Sequence, residues 1–179
     1  MTQIGSVYGE ALFSLAKDEK LDIEIMKQLL VLEQSISAEP DFVRLMGAPN
    51  IGKDERCAIL DRSFRGKVHE YVLNFMKILT EKGYFRHFSA CVQGYRACYN
   101  TYHNILTVTA VTAVPLTDAQ THKLTVKLQA LTGKKIQLIN KVDSACMGGV
   151  RLDYDGKRVD GTLSNRLEKL AGMLKNTVL

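Results

Sequence analysis

The sequence predicts a mainly α-helical chain with a small α/β part: an N-terminal six-helix bundle, then a small C-terminal domain of a few β-strands and helices. Three observations predict it. Up to about residue 104, apolar residues recur every three or four positions in segments joined by short loops. At Asn104 the period changes, and residues 105–114 are β-branched and largely alternating. Residues 147–170 then combine a Gly-Gly turn, an alternating strand, an Asp-Gly hairpin signal and an apolar helical stripe. The boundary therefore falls at residue 104, giving domains 1–104 and 105–179.

Residues 4–18 read as the first helix, with Ile4, Tyr8, Ala11, Leu12 and Leu15 on one side. Phe13 and Ala16 widen the apolar arc, so the helix either touches apolar material on two sides or is an ordinary buried helix. Residues 21–38 form a second helix with Asp22 as cap and Ile25, Leu29, Leu32 and Ile36 as its stripe. Glu39-Pro40 ends it, because proline clashes with a continuing helix. Asp41 caps a short turn carrying Phe42, Leu45 and Met46, and residues 47–50 are a loop. Residues 53–64 are helical, with Cys57, Leu60 and Phe64 aligned, until Gly66. Residues 68–82 carry a broad apolar face of Tyr71, Val72, Phe75, Met76 and Leu79, closed by Gly83 at the C-cap. A sixth helix starts at Phe85 and runs to about His103, with Phe88, Val92, Tyr95 and Tyr99 spaced for packing.

In the second part, Pro115 ends the first strand, and Thr117 or Asp118 caps a helix to about Leu131 with Leu124 and Leu128 inward. Thr132-Gly133 stops that helix, and residues 136–140 form a second strand. Val150, Leu152 and Tyr154 alternate with Arg151 and Asp153. Asp155-Gly156 predicts a two-residue turn, and Lys157-Arg158-Val159 return as a short strand. Asp160 stands at the N-cap of a last helix, whose stripe is Leu163, Leu167, Leu170, Met173 and Leu174. A domain of this size is marginal alone and is expected to gain order from a partner.

Of the 179 residues 46% are hydrophobic, enough for a real core, and the formal net charge is +5. No apolar run approaches the roughly 18 residues of a membrane span, and Met1-Thr2-Gln3 lacks the opening of a signal peptide. The expectation is a soluble intracellular protein without direct membrane insertion. Cys57, Cys91, Cys98 and Cys146 include no CxxC pair and read as free thiols.

No catalytic chemistry is legible. Gly133-Lys134 lacks the glycine five residues earlier and the following Ser or Thr of a phosphate loop. Residues 153–156 place glycine too early for a calcium loop. His69, His87, His103 and His122 have no metal-ligand spacing, so neither cofactor nor metal is expected. Lys134, Lys135, Lys141, Arg151, Lys157 and Arg158 raise the alternative of a basic nucleic-acid-binding adaptor domain. Tyr154, however, is the one aromatic residue after residue 104, which leaves no stacking platform. The residues by themselves describe a non-catalytic adaptor with a spare apolar groove.

Several strings carry a family resemblance: Lys141-Val142-Asp143, Met147-Gly148-Gly149-Val150, Val159-Asp160-Gly161-Thr162 and residues 166–170 at the C-terminal end, and residues 8–16 at the N-terminal end. In the middle, residues 73–83 followed by Phe85 show an apolar helix ending in Lys-Gly. Over essentially its whole length the chain resembles the delta subunit of bacterial F-type ATP synthase, the family of the oligomycin-sensitivity-conferring protein. Cys146 departs from it, standing where the family usually has a larger aliphatic residue. The resemblance implies a structural stator subunit without an active site, linking the top of the catalytic head to the peripheral stalk. It implies an N-terminal bundle that binds the N-terminal helix of an alpha subunit. The broad apolar faces of the first and fifth helices, taken with that pattern, make these two helices the groove, with Tyr8, Ala11, Leu12, Leu15, Val72, Met76 and Leu79 as candidate wall residues, each of which reads equally as plain core. It implies a C-terminal domain that binds the b subunits, and Arg166, Leu167, Leu170 and Leu174, on the helix expected after the signature, are the docking candidates. The expected location is the cytoplasmic face of the cell membrane, held peripherally through the complex.

Overall fold

A computed structural model of the chain describes residues 3–161 other than Pro49 and Met147. The backbone divides into two compact units, Met1–Tyr102 and His103–Leu179. The first holds α1 (Gln3–Asp18), α2 (Asp22–Ala38), α3 (Pro40–Gly47), α4 (Lys53–Phe64), α5 (Glu70–Glu81) and α6 (Phe88–Tyr102), with a 3-10 turn at Phe85–His87.

The tightest packing in this unit joins α1 to α6, and small residues make it so. A methyl group added to Gly9 would lie 2.5 Å from the Tyr95 nitrogen, and one added to Gly5 would lie 2.6 Å from the Ala90 carbonyl oxygen. From the other side, a methyl on Gly94 would collide with the Gly5 carbonyl. Gly5 and Gly9, four apart, present bare backbone on one face of α1, and Ala90 and Gly94 do so on α6. The two helices therefore touch backbone to backbone. Beyond the seam, Phe13 meets Tyr95 edge-on at 5.4 Å between ring centres, and the buried Tyr95 hydroxyl donates to the Asp22 carbonyl at 2.9 Å. That bond ties α6 to the start of α2.

The other helices enclose an apolar core led by Ile25, Leu29, Met46, Leu60, Met76 and Leu79. Phe42 is the aromatic hinge of α3, set edge-on to Phe64 at 6.1 Å and to Phe85 at 5.7 Å. α4 is held to α5 by a 2.7 Å ion pair between Asp61 and Lys77, with Arg65 on the same carboxylate at 3.1 Å. The Lys77 and Arg65 hydrogen bonds hold the Asp61 carboxyl below its ordinary range. Arg56, a buried cation in the first turn of α4, donates to the Met46 carbonyl at 2.6 Å, so its charge sits at the electronegative end of α3.

α5 ends on a left-handed Gly83, whose N–H donates to Thr80 O while Tyr84 N–H reaches back to Leu79 O at 2.7 Å. This is the paired C-terminal cap that a positive-φ glycine allows. Its N-terminus differs from expectation: the helix begins at Glu70, and His69 caps it. Two other expected caps do not form. Asp22 is the first helical residue and nearly buried, with Leu21 before it. Asp41 lies inside α3, which Pro40 opens, because proline fits the first helical turn that lacks an N–H partner anyway.

The second unit holds β1 (Ile105–Thr112), α7 (Asp118–Thr132), β2 (Lys135–Val142), β3 (Val150–Tyr154) and β4 (Lys157–Asp160), with a 3-10 turn at Ser144–Cys146. The strands form one sheet in the order β2-β1-β3-β4. β1 and β2 are parallel over eight residues, Ile105 opposite Lys135 through Thr112 opposite Val142, with α7 as the crossover. β3 and β4 form a hairpin antiparallel to β1, and the Asp155-Gly156 turn has positive φ at both residues, as a type I′ turn requires. Thr117 caps α7 reciprocally with Gln120. Leu106, Val108 and Ala110 are buried on one face of β1. Leu124 and Leu128 are half-buried rather than fully inward. Asp160 pairs in register with Arg151 as the end of β4, and the helix expected after it lies outside the described residues.

The glycine seam gives a stability test. Gly9→Ala and Gly94→Ala should each destabilise the fold by at least about 1–3 kcal/mol, as overpacking does, seen as a lower denaturation midpoint. Gly47→Ala, with open space around the added methyl, should be neutral or stabilising by up to about 1 kcal/mol.

Candidate partner-binding groove

A helix pinned to its neighbour through one face must spend its other face elsewhere. On α1, Tyr8, Leu12 and Leu15 project away from the glycine seam at i, i+4 and i+7 spacing, with Ala11 between them. α5 runs alongside and offers Tyr71, Asn74, Phe75 and Ile78 at i, i+3, i+4 and i+7. These two rows line an open groove of about 430 Å³.

The floor is apolar and the rims are exposed. Leu12 and Phe75 are buried at the bottom, whereas Leu15 and Ile78 keep 43% and 44% of their surface in solvent. Ala11 is exposed, and its small side chain leaves the trough open. The polar atoms at hand are the Asn74 amide and the hydroxyls of Tyr8 and Tyr71, and none of the lining residues is charged. Tyr8 is set edge-on against Tyr84 at 6.0 Å, and the Tyr71 ring packs 4.9 Å from the His69 ring. Each tyrosine is thus positioned by a residue at one end of α5.

The expected wall residues divide. Tyr8, Ala11, Leu12 and Leu15 line the groove. Val72, Met76 and Leu79 do not: each is 0% exposed, turned into the core of the bundle. The reason is rotation about the α5 axis. Two stripes one residue apart are both helically spaced, and the wholly apolar one (Val72, Met76, Leu79) faces inward. The stripe interrupted by Asn74 and ending in a tyrosine at Tyr71 faces out. Asn74 was the available signal, since an amide needs hydrogen-bond partners and a tight apolar core offers none. Arg166, Leu167, Leu170 and Leu174 lie outside the described residues.

Elsewhere the chemistry is quiet. Among the described residues no group of three or more His, Cys, Asp or Glu is placed to hold a metal ion. All four cysteines are free, and burial pushes the Cys91 thiol up to about 11. Two of the basic residues in the second unit are already engaged, Arg158 with Asp153 at 2.9 Å and Arg151 with the same carboxylate at 3.5 Å. No described helix is long and apolar enough to cross a membrane.

The family model described as ATP synthase delta (OSCP) subunit matches residues 4–174. The ATP synthase subunit delta of Alkaliphilus oremlandii is 33% identical over 172 residues, covering 96% of each chain. That of Lactobacillus gasseri is 32% identical over 173 residues, covering 96% of this chain and 94% of its own. A chain in the cryo-EM structure of the Toxoplasma gondii mitochondrial ATP synthase hexamer shares the fold, with a TM-score of 0.76 at 17% identity over 97% of this chain and 98% of that one. By the extent of the match and the identity of its relatives, the chain belongs to the ATP synthase delta (OSCP) subunit family.

Proposed function

We propose that the α1–α5 groove receives the amphipathic N-terminal helix of an alpha subunit and that the second unit docks the b subunits of the peripheral stalk. The chain is a non-catalytic subunit of the F-type ATP synthase, part of the stator that links the catalytic head to the peripheral stalk. Its work is mechanical. The head must be kept from turning with the rotor, so torque passes through whatever this subunit grips. The location follows from that role, on the cytoplasmic face of the cell membrane and held there through the complex.

The observation that carries the groove reading is the exposed, uncharged trough between α1 and α5. A helix laid into it would present anchors at i, i+3, i+4 and i+7, the spacing of the rows on either side. Stable interfaces bury about 800 Å² per partner, and nanomolar affinity corresponds to about −12 kcal/mol. Tyr8 and Tyr71 suit such an anchor site, since a phenol buries a large ring while keeping a polar edge. The b-subunit reading rests on the family pattern at Arg166, Leu167, Leu170 and Leu174.

Groove and core positions on α5 should separate cleanly. Ala11→Asp and Ile78→Asp place a charge in the trough and should weaken binding of the alpha N-terminal peptide at least about tenfold in calorimetry, with an unchanged melt. Met76→Ala should instead destabilise the bundle by about 2–5 kcal/mol, as deletion of a buried side chain does. Equal peptide affinity in the wild type and Ala11→Asp would refute the groove. Truncation before Gly161 should abolish co-purification with the b subunits and leave alpha-peptide binding intact; loss of both from a folded bundle would sink the division of labour.

A further inference from the structure

The groove is uncharged but not wholly apolar. Three polar side chains line it: the phenols of Tyr8 and Tyr71 and the amide of Asn74. Among the described residues none of these three side chains has a hydrogen-bond partner. The phenols mark the two ends. Tyr71 stands in the first turn of α5, and Tyr8 packs on Tyr84, just past its last turn. Asn74 lies between them, one turn from Tyr71 and one turn from Ile78. Phe75 beside it is buried, whereas Asn74 is exposed. The trough therefore carries an unanswered amide at the middle of its α5 wall.

In the free chain that amide is open to solvent. Under a docked helix it is covered, and a covered amide without a hydrogen bond weakens binding by about fivefold or more. A helix can answer it only in part through its backbone. Its mid-length N–H groups are already paired within the helix, and its carbonyls offer a spare lone pair but no donor. The Asn74 carbonyl oxygen thus needs a donor that a side chain must bring. Lysine or arginine would bring a charge as well, and no anion lines the trough to pair with it. What fits is an uncharged side chain that both donates and accepts, namely Asn, Gln, Ser or Thr.

We propose that Asn74 is the register key of the groove: it pairs with one such donor–acceptor side chain set among the apolar anchors of the docked helix, and so fixes where that helix lies along the trough. This inference rests on the α1–α5 groove as the docking site of the alpha N-terminal helix. The apolar lining does not fix the register by itself. Anchors recur every three or four residues, so a helix displaced by one turn meets Leu12, Leu15, Phe75 and Ile78 much as before. The same displacement takes the partner side chain away from Asn74 and leaves both unpaired. A lone asparagine among apolar contacts sets the register of coiled coils by this means.

The test is a double-mutant cycle on the full chain, which isolates a pairwise interaction. The probe is the alpha N-terminal peptide, native and with each Asn, Gln, Ser or Thr of its apolar face replaced in turn by an apolar residue of similar size. One replacement should weaken binding to the wild type at least about fivefold in calorimetry. Asn74→Leu should weaken binding of the native peptide by a similar factor, and that same replacement should then cost this variant nothing. The melt of Asn74→Leu without peptide should equal that of the wild type, because the amide bonds nothing in the free chain; a lowered melt would assign Asn74 to the fold and overturn the key. A photo-crosslinker on the native peptide should mark one turn of the wild-type groove. With Asn74→Leu and the replaced peptide, the marks should spread to neighbouring turns, about 5.4 Å apart. Additive losses in the cycle, a single marked turn in both pairs, or tight binding of a native peptide whose apolar face holds none of the four residues would overturn the key and leave the groove standing. No binding of the native peptide to the wild type would overturn the groove, and the key with it.

Discussion

The first unit depends on one close approach. α1 and α6 meet where Gly5, Gly9 and Gly94 leave no side chain between the backbones, and any methyl there would overlap main-chain atoms that cannot move aside. This contact fixes the rotation of α1 about its own axis. With the glycine face committed to α6, Tyr8, Leu12 and Leu15 can only point toward α5. The broad apolar arc of α1 is therefore one face welded to the bundle and one face lining the trough beside α5. Larger residues at the seam would push the helices apart and turn the groove face along with them.

α5 is fixed just as firmly, by different means. Val72, Met76 and Leu79 anchor it in the core, the Asp61–Lys77 pair ties it to α4, and Gly83 closes its last turn. Its first turn hangs on His69 and Gln28. A trough whose floor is packed core and whose rims are half-exposed leucine and isoleucine is pre-organised. Were a helix to dock there as proposed, little ordering cost would fall on the binding step, which suits a joint that must stay closed under load.

The second unit solves a different problem. Among its described residues the buried apolar side chains are few, Leu106, Val108, Ala110, Val111 and Cys146. It relies on local devices: a βαβ crossover closed by the Thr117–Gln120 capping box, a type I′ hairpin at Asp155-Gly156, and Asn140, whose amide donates to the Ala110 carbonyl on β1 at 2.9 Å while its oxygen accepts from Leu116 N–H. These devices set the register of each strand without a large buried area.

Much of this was legible in the residues. The change of period at Asn104, the stops at Gly83 and Gly133 and the hairpin at Asp155-Gly156 each rest on a rule that acts within a few residues. Such rules concern backbone freedom and periodicity, and neighbours distant in sequence do not alter them. Over the described residues the sequence by itself determined which segments are helices and strands and where the chain changes character, and its resemblance pointed to the family it joins. Tertiary structure decided which of two adjacent stripes on α5 faces the core, because both have helical spacing and a single polar residue, Asn74, is all that marks the outer one in the sequence. It also decided that Gly5 and Gly9 are a contact surface, since a missing side chain has meaning only when another backbone, here that of Ala90 and Gly94, arrives to fill the space.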